Sequence, residues 1–125
     1  MYTLSLQRRF TAEHHLIGGD WGAENYPHSH SYLLDLRLEG ESLNEHGYLV
    51  DLVEVGGYFD EVINRYEGAD LNALPEFSGL NPSLEHFARI LCMALSKHFK
   101  ESRIDAITVK LWENESAWAS FRREL

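Results

Sequence analysis

The chain has one cysteine, three prolines and eleven basic side chains against twenty acidic ones, and each shortage removes a class of protein. A single cysteine, Cys92, allows neither a disulfide framework nor a thiolate metal site. Its place in an apolar helical pattern reads as a small buried hydrophobe. The formal charge of −9 argues against a nucleic-acid partner, which needs a basic surface, and equally against an anionic membrane. No apolar run approaches the roughly 20 residues of a membrane span. The opening residues Met1 to Arg9 carry their charges after a short apolar part, the reverse of a secretory signal, so a cytoplasmic protein is expected. Without repeats, linkers or low-complexity segments, residues 1–125 are expected to form one domain with a real core.

What the chain does have is histidine in a pattern. After Pro27 the run His28-Ser29-His30-Ser31-Tyr32-Leu33-Leu34-Asp35-Leu36-Arg37-Leu38 alternates with period two and ends at Gly40, as a strand does. Side chains alternate across a strand, so His28, His30, Tyr32, Leu34, Leu36 and Leu38 share the core face. One core histidine is ordinarily a hydrogen-bonded packing residue. Two together leave up to four ring nitrogens to satisfy, and a shared metal ion satisfies one on each ring. The N-terminal run alternates too: Tyr2, Leu4, Leu6, Phe10, Ala12 and His14 share a parity, with Arg8 out of pattern. His15 has the opposite parity and is expected to face water or a partner subunit. The loop from Ile17 to Pro27, rich in glycine, can bring the two strands side by side. His14, His28 and His30 then form the three-nitrogen set of a catalytic zinc, with a fourth position left for water or substrate.

Beyond Gly40 the pattern predicts a short strand over 47–50 and a helix capped by Asp51, with Glu54 completing a capping box. Val55, Phe59, Val62, Ile63 and Tyr66 form its buried stripe, which Gly56 and Gly57 weaken. A loop covers 67–79. A second helix starts at Asn81-Pro82-Ser83, with proline in the first turn, and buries Leu84, Phe87, Ala88, Leu91, Leu95 and Phe99. Residues 104–112 form a strand and 118–122 an edge strand. Strands at both ends flanking two helices imply an α+β fold, a mainly antiparallel sheet with two helices packed on one face. Its open edges invite pairing between subunits. Glu113 extends the buried row of Ile107, Val109 and Leu111 by one step. It either marks the strand's emergence into solvent or anchors a ligand, since a carboxylate accepts two parallel hydrogen bonds from the amino-pyrimidinone edge of guanine or a pterin.

Six stretches in order, Phe10 to Leu16, His28 to Tyr32, Gly47 to Asp51, Leu71-Asn72, Asn81 to Glu85 and Val109 to Asn114, resemble the motifs of the 6-pyruvoyltetrahydropterin and 6-carboxytetrahydropterin synthases. The resemblance spans nearly the whole chain. It implies a tunnelling fold that assembles through strand edges into an oligomeric barrel, commonly a homohexamer. It also implies zinc on His14, His28 and His30, and substrate binding by Glu113 and Glu85.

The departures bear on the chemistry. The family's catalytic cysteine falls at Glu24, and its Asp-His pair at Glu67 and Gly68. Ser29 replaces a glycine, and His86 replaces an asparagine. Some relatives with glutamate at the cysteine position cleave the pterin side chain to leave a hydroxymethyl group. The favoured reading is a zinc-dependent lyase or synthase acting on dihydroneopterin or its triphosphate, with Glu24 as base and His86, Asp70 or zinc-bound water as the second proton-transfer group. Partial burial is expected to raise the Glu24 pKa. The alternative is a non-catalytic zinc-containing pterin- or purine-binding homologue. A cupin reading of Gly22, His28, His30, Asp35 and Gly40 fails because Asp35 has the wrong strand parity to share the metal.

Overall fold

The computed structural model describes all 125 residues. Four strands, β1 (Tyr2–His14), β2 (His28–Gly40), β3 (Ala106–Trp112) and β4 (Trp118–Glu124), form one sheet in the order β1-β2-β3-β4, every pair antiparallel. Two helices, α1 (Leu52–Tyr66) and α2 (Leu84–Ser96), cross between β2 and β3. Register follows the hydrophobic alternation, pairing Leu6 with Leu36, Phe10 with Tyr32 and Leu36 with Val109. A one-residue slip would turn Leu34, Leu36 and Leu38, all fully buried, to the polar face. Against that row pack α1, chiefly on β1, and α2, on β3 and β4.

Phe87 of α2 stands edge-on to Phe10, Tyr32, Tyr66 and Phe77, with centroids 5.2–5.8 Å away. This aromatic cluster underlies the end of the sheet where the histidines lie, and it fixes Tyr32 in particular. Arg8, out of pattern on the core face, is accommodated by α1. Its guanidinium lies over the Phe59 ring at 5.5 Å and reaches Asp60 at 3.4 Å.

Several local expectations are corrected. Residues 47–50 form no strand, because Asn44 turns the chain back on itself, taking the Tyr48 carbonyl at 2.9 Å and offering its side-chain oxygen to the His46 and Tyr48 amides. The Asp51 carboxylate caps α1 through Val53 N–H at 2.9 Å, but Glu54 accepts the Tyr58 hydroxyl instead of closing a capping box. Ser83, not Pro82, borders α2, and its hydroxyl accepts from His86 N–H at 3.1 Å. Phe99 lies in a short 3-10 turn, Lys97–Phe99, beyond the helix. Within 67–79 two more such turns appear, Leu71–Ala73 and Pro75–Phe77. The last strand runs on to Glu124.

The segment after α1 lies along the outer edge of β1. Gly68 N–H donates to Thr11 O at 2.6 Å, Glu13 N–H to Ala69 O at 2.8 Å, and Thr11 N–H to the Glu67 carboxylate at 2.9 Å. No helix is long and apolar enough to cross a membrane.

Candidate metal centre

His14 ends β1 and His28 begins β2, and the two are register partners; His30 sits opposite Ala12. Antiparallel pairing therefore places three rings on one face at one end of the sheet, with centroids 4.6–4.8 Å apart. One candidate ligand nitrogen from each ring lies within 4.8 Å of the others. The second ring nitrogens determine which atoms point inward. His28 Nδ1 is 2.9 Å from Tyr26 O, an acceptor, so this nitrogen carries the proton and Nε2 keeps its lone pair. His14 Nδ1 meets the Tyr32 hydroxyl at 3.2 Å; with Nδ1 as donor, Nε2 of His14 is free as well. The Nε2 atoms of His28 and His30 are sealed from solvent and have no hydrogen-bond partner. Buried ring nitrogens without partners are rare, and a shared cation satisfies them together, so the residues present fit a metal ion.

Electrostatics agree. Burial, then the neighbouring charges of His30, His28 and His15, lower the His14 pKa to about 4, which keeps the imidazole neutral and able to donate its lone pair. The Tyr32 phenol is pushed well above its usual range, first by burial and then by Glu113. Burial likewise pushes the Cys92 thiol up to about 11, consistent with an inert core residue.

Glu113 is the first residue past β3, where its backbone N–H donates to Ala117 O at 3.1 Å. Its Oε1 lies 3.2 Å from His30 Nε2 and 4.0 Å from His14 Nε2. The carboxylate belongs to the histidine cluster and also lines an open cavity of about 560 Å³ with Arg9, His30 and Trp112. The other sequence candidates lie elsewhere. Glu24 is in the 3-10 turn Gly22–Asn25 and is exposed, contrary to the expected partial burial. Asn25 fills the loop instead, bonding Leu16 O, Gly19 O and Trp21 N–H, and this leaves Glu24 turned outward. Glu85 is exposed on the first turn of α2. His86 is half-buried beside it, with Nδ1 held 2.8 Å from Asn81 O. Asp70 caps the following turn through Asn72 N–H at 3.2 Å.

Two supporting residues, Tyr32 and Asn72, lie in stretches the sequence singles out, but their roles at the site come from the structure. Tyr32 could have been suspected as the next side chain on the His28–His30 row. Asn72 clamps the His15 backbone, accepting its N–H at 2.9 Å and donating to its carbonyl at 3.0 Å. His15 is thereby half-buried with a sealed, unpartnered Nδ1, rather than facing water.

An antiparallel sheet with both helices on one face and three histidines gathered at one end defines a tunnelling-fold protein with a candidate metal centre. The profile of the 6-pyruvoyl tetrahydropterin synthase family matches residues 3–124, and the chain belongs to that family. An Archaeoglobus fulgidus protein named as a candidate 6-carboxy-5,6,7,8-tetrahydropterin synthase is 24% identical over 96 residues, 77% of this chain and 76% of its own. The Caenorhabditis elegans 6-pyruvoyl tetrahydropterin synthase superposes with a TM-score of 0.83 at 20% identity, covering 98% of this chain and 96% of that one. An Escherichia coli dihydroneopterin aldolase, solved with neopterin, has the same fold with a TM-score of 0.61 at 12% identity, covering 98% and 99%.

Proposed function

We propose that this protein is a zinc-dependent lyase or synthase acting on the side chain of a dihydropterin, dihydroneopterin or its triphosphate. The observation that carries the reading is the convergence of three imidazoles, two with sealed and unpartnered Nε2 atoms, beside a carboxylate 3.2 Å from one of them. His14, His28 and His30 would hold the zinc, which when bound supplies Lewis acidity to a side-chain oxygen of the substrate and makes the proton on the neighbouring carbon more acidic. Glu113 accepts the paired N–H groups of the pterin edge and orients the side chain toward the histidines, with Glu85 as a second binding residue. Glu24, on the loop that leads into His28, removes the proton; His86 serves the opposite transfer. A cytoplasmic homohexamer, as is common for this fold, is part of the proposal.

One feature favours a second reading, a pterin- or purine-binding protein without turnover. Gly68 stands where the family carries its catalytic histidine, adopts φ +70°, and has only its backbone to offer, which is bonded to Thr11. Incubating dihydroneopterin and its triphosphate with the parent and with Glu24→Gln, followed by chromatography, separates the two. Conversion by the parent that is lost in Glu24→Gln supports the enzyme with Glu24 as base. Equal conversion by both removes Glu24 from the mechanism, and binding without conversion by either establishes the binding protein.

A further inference from the structure

We propose that Tyr32 and Asn72 are positioning residues of the metal centre, the Tyr32 hydroxyl holding the ring of His14 and the Asn72 amide holding the backbone just past it. This rests on His14, His28 and His30 holding a metal ion, and not on the identity of the substrate.

His14 stands where β1 stops. The ladder with β2 ends at the His14–His28 pair, so the sheet itself fixes nothing beyond it. Chain ends of this kind fray, whereas a metal centre needs each ligand atom held to within about 0.5 Å. The ring is fixed by its second nitrogen. Nδ1 of His14 lies 3.2 Å from the Tyr32 hydroxyl, while Nε2, like that of His30, is turned toward Glu113 Oε1, at 4.0 Å against 3.2 Å. A hydrogen bond at Nδ1 leaves Nε2 as the nitrogen available to a metal, and a half-turn of the ring would break that bond. Tyr32 is firmly seated: it is 1% exposed, stacked on Phe10 at 5.2 Å and 21°, and edge-on to Phe87 at 5.2 Å. Its hydroxyl is therefore a fixed point for the imidazole.

The backbone is fixed from the other side. Asn72 accepts the His15 N–H at 2.9 Å and donates to the His15 carbonyl at 3.0 Å. One amide side chain thus supplies the acceptor and the donor of a missing rung of the ladder. On the preceding flank of His14, Glu13 N–H donates to Ala69 O at 2.8 Å. Residues 69–72 therefore grip the chain on both sides of the ligand. Asn72 is anchored in turn, its own N–H bonding the Asp70 carboxylate at 3.2 Å and its neighbour Leu71 fully buried. The Leu71-Asn72 pair belongs to the metal centre without touching the metal.

The test measures zinc affinity by chelator competition in the parent, Tyr32→Phe, Asn72→Ala and Tyr66→Phe. Tyr32→Phe keeps the aromatic packing and removes only the hydroxyl. Tyr66→Phe is the control, because it too removes a hydroxyl bond from a buried tyrosine, made to Glu76 at 2.7 Å and not to a histidine. Far-UV circular dichroism of the metal-free forms checks folding; Asn72→Asp, which keeps the acceptor for His15 N–H and loses the donor to its carbonyl, serves if Asn72→Ala does not fold. Zinc binding weaker by about 10- to 100-fold in Tyr32→Phe and in the Asn72 variant is expected, with Tyr66→Phe within about twofold of the parent. A loss below about threefold in either variant overturns that residue's role, and an equal loss in Tyr66→Phe overturns both, since lowered stability would then account for it. Proton NMR of the zinc-loaded parent is expected to show the His14 Nδ1–H in a hydrogen bond, and Tyr32→Phe to shift or lose that signal; an identical signal in both overturns the ring contact. No zinc binding by the parent rejects the metal centre itself, and the positioning roles fall with it.

Discussion

His28 completes the candidate metal set, and its Nδ1 is already committed to Tyr26 O at 2.9 Å. The purified protein is expected to hold about one zinc per chain. Plasma mass spectrometry should find His28→Ala nearly devoid of it; equal metal in variant and parent would remove the site. Glu113→Gln tests the ring anchor, because the amide presents a donor to the ligand's donors. A loss of roughly 2–4 kcal/mol in pterin affinity is expected from the missing charge-assisted bond and the new mismatch. Fluorescence titration with neopterin checks it.

The elements that frame the site are joined by specific contacts. Arg65, at the end of α1, meets Glu76 in the Pro75–Phe77 turn through two bonds of 2.6 and 2.7 Å, and the Tyr66 hydroxyl adds a third at 2.7 Å. Hydrogen bonding from Arg65 lowers the Glu76 pKa to about 2 from an ordinary 4.5. A depressed carboxylate stabilises the fold above its unfolded pKa, and that contribution is lost as pH falls from 4.5 toward 2, where the folded carboxylate also protonates. Glu76→Gln should therefore destabilise the protein by about 1–2 kcal/mol at neutral pH and flatten the stability profile in that window. Urea titrations of both proteins from pH 7 downward measure it. Gly57 makes a prediction of opposite sign. It lies exposed inside α1, and an added Cβ meets nothing within 4 Å. Gly57→Ala should raise stability by about 0.5–1 kcal/mol, read as a higher urea midpoint at unchanged slope.

At the scale of the molecule, the sheet has one face buried under helices and one without them. The open face carries Thr3, Gln7, Arg9, Arg37 and Arg122, exposed, yet Asp35 on the same face is only 3% exposed, taken up by Ser5 and by Arg37 at 3.3 Å. At one rim β4 is a full seven-residue strand paired only with β3. At the other, the 67–70 segment covers only the end of β1 near the histidines. Such long free edges pair readily with further copies of the chain. Light scattering after size exclusion is expected to give a hexamer; a monomer at micromolar concentration would count against a barrel built through strand edges.

Alternation of apolar and polar residues was enough to place β1 and β2, to put His14, His28 and His30 on one face, and to set Glu113 at the end of the β3 row, because a period of two leaves each strand only one way to bury Leu34, Leu36 and Leu38. Tertiary structure decided what depends on distant partners. The 47–50 stretch has strand-like residues but no strand beside it, so its backbone bonds go to Asn44. His15 is held inside by Asn72, 57 residues away. Glu24 turns outward because Asn25 fills the loop. The 3.2 Å approach of Glu113 to His30 comes from the antiparallel pairing of β2 with β3, and hydrogen bonds between segments far apart in the chain leave no local periodicity to read.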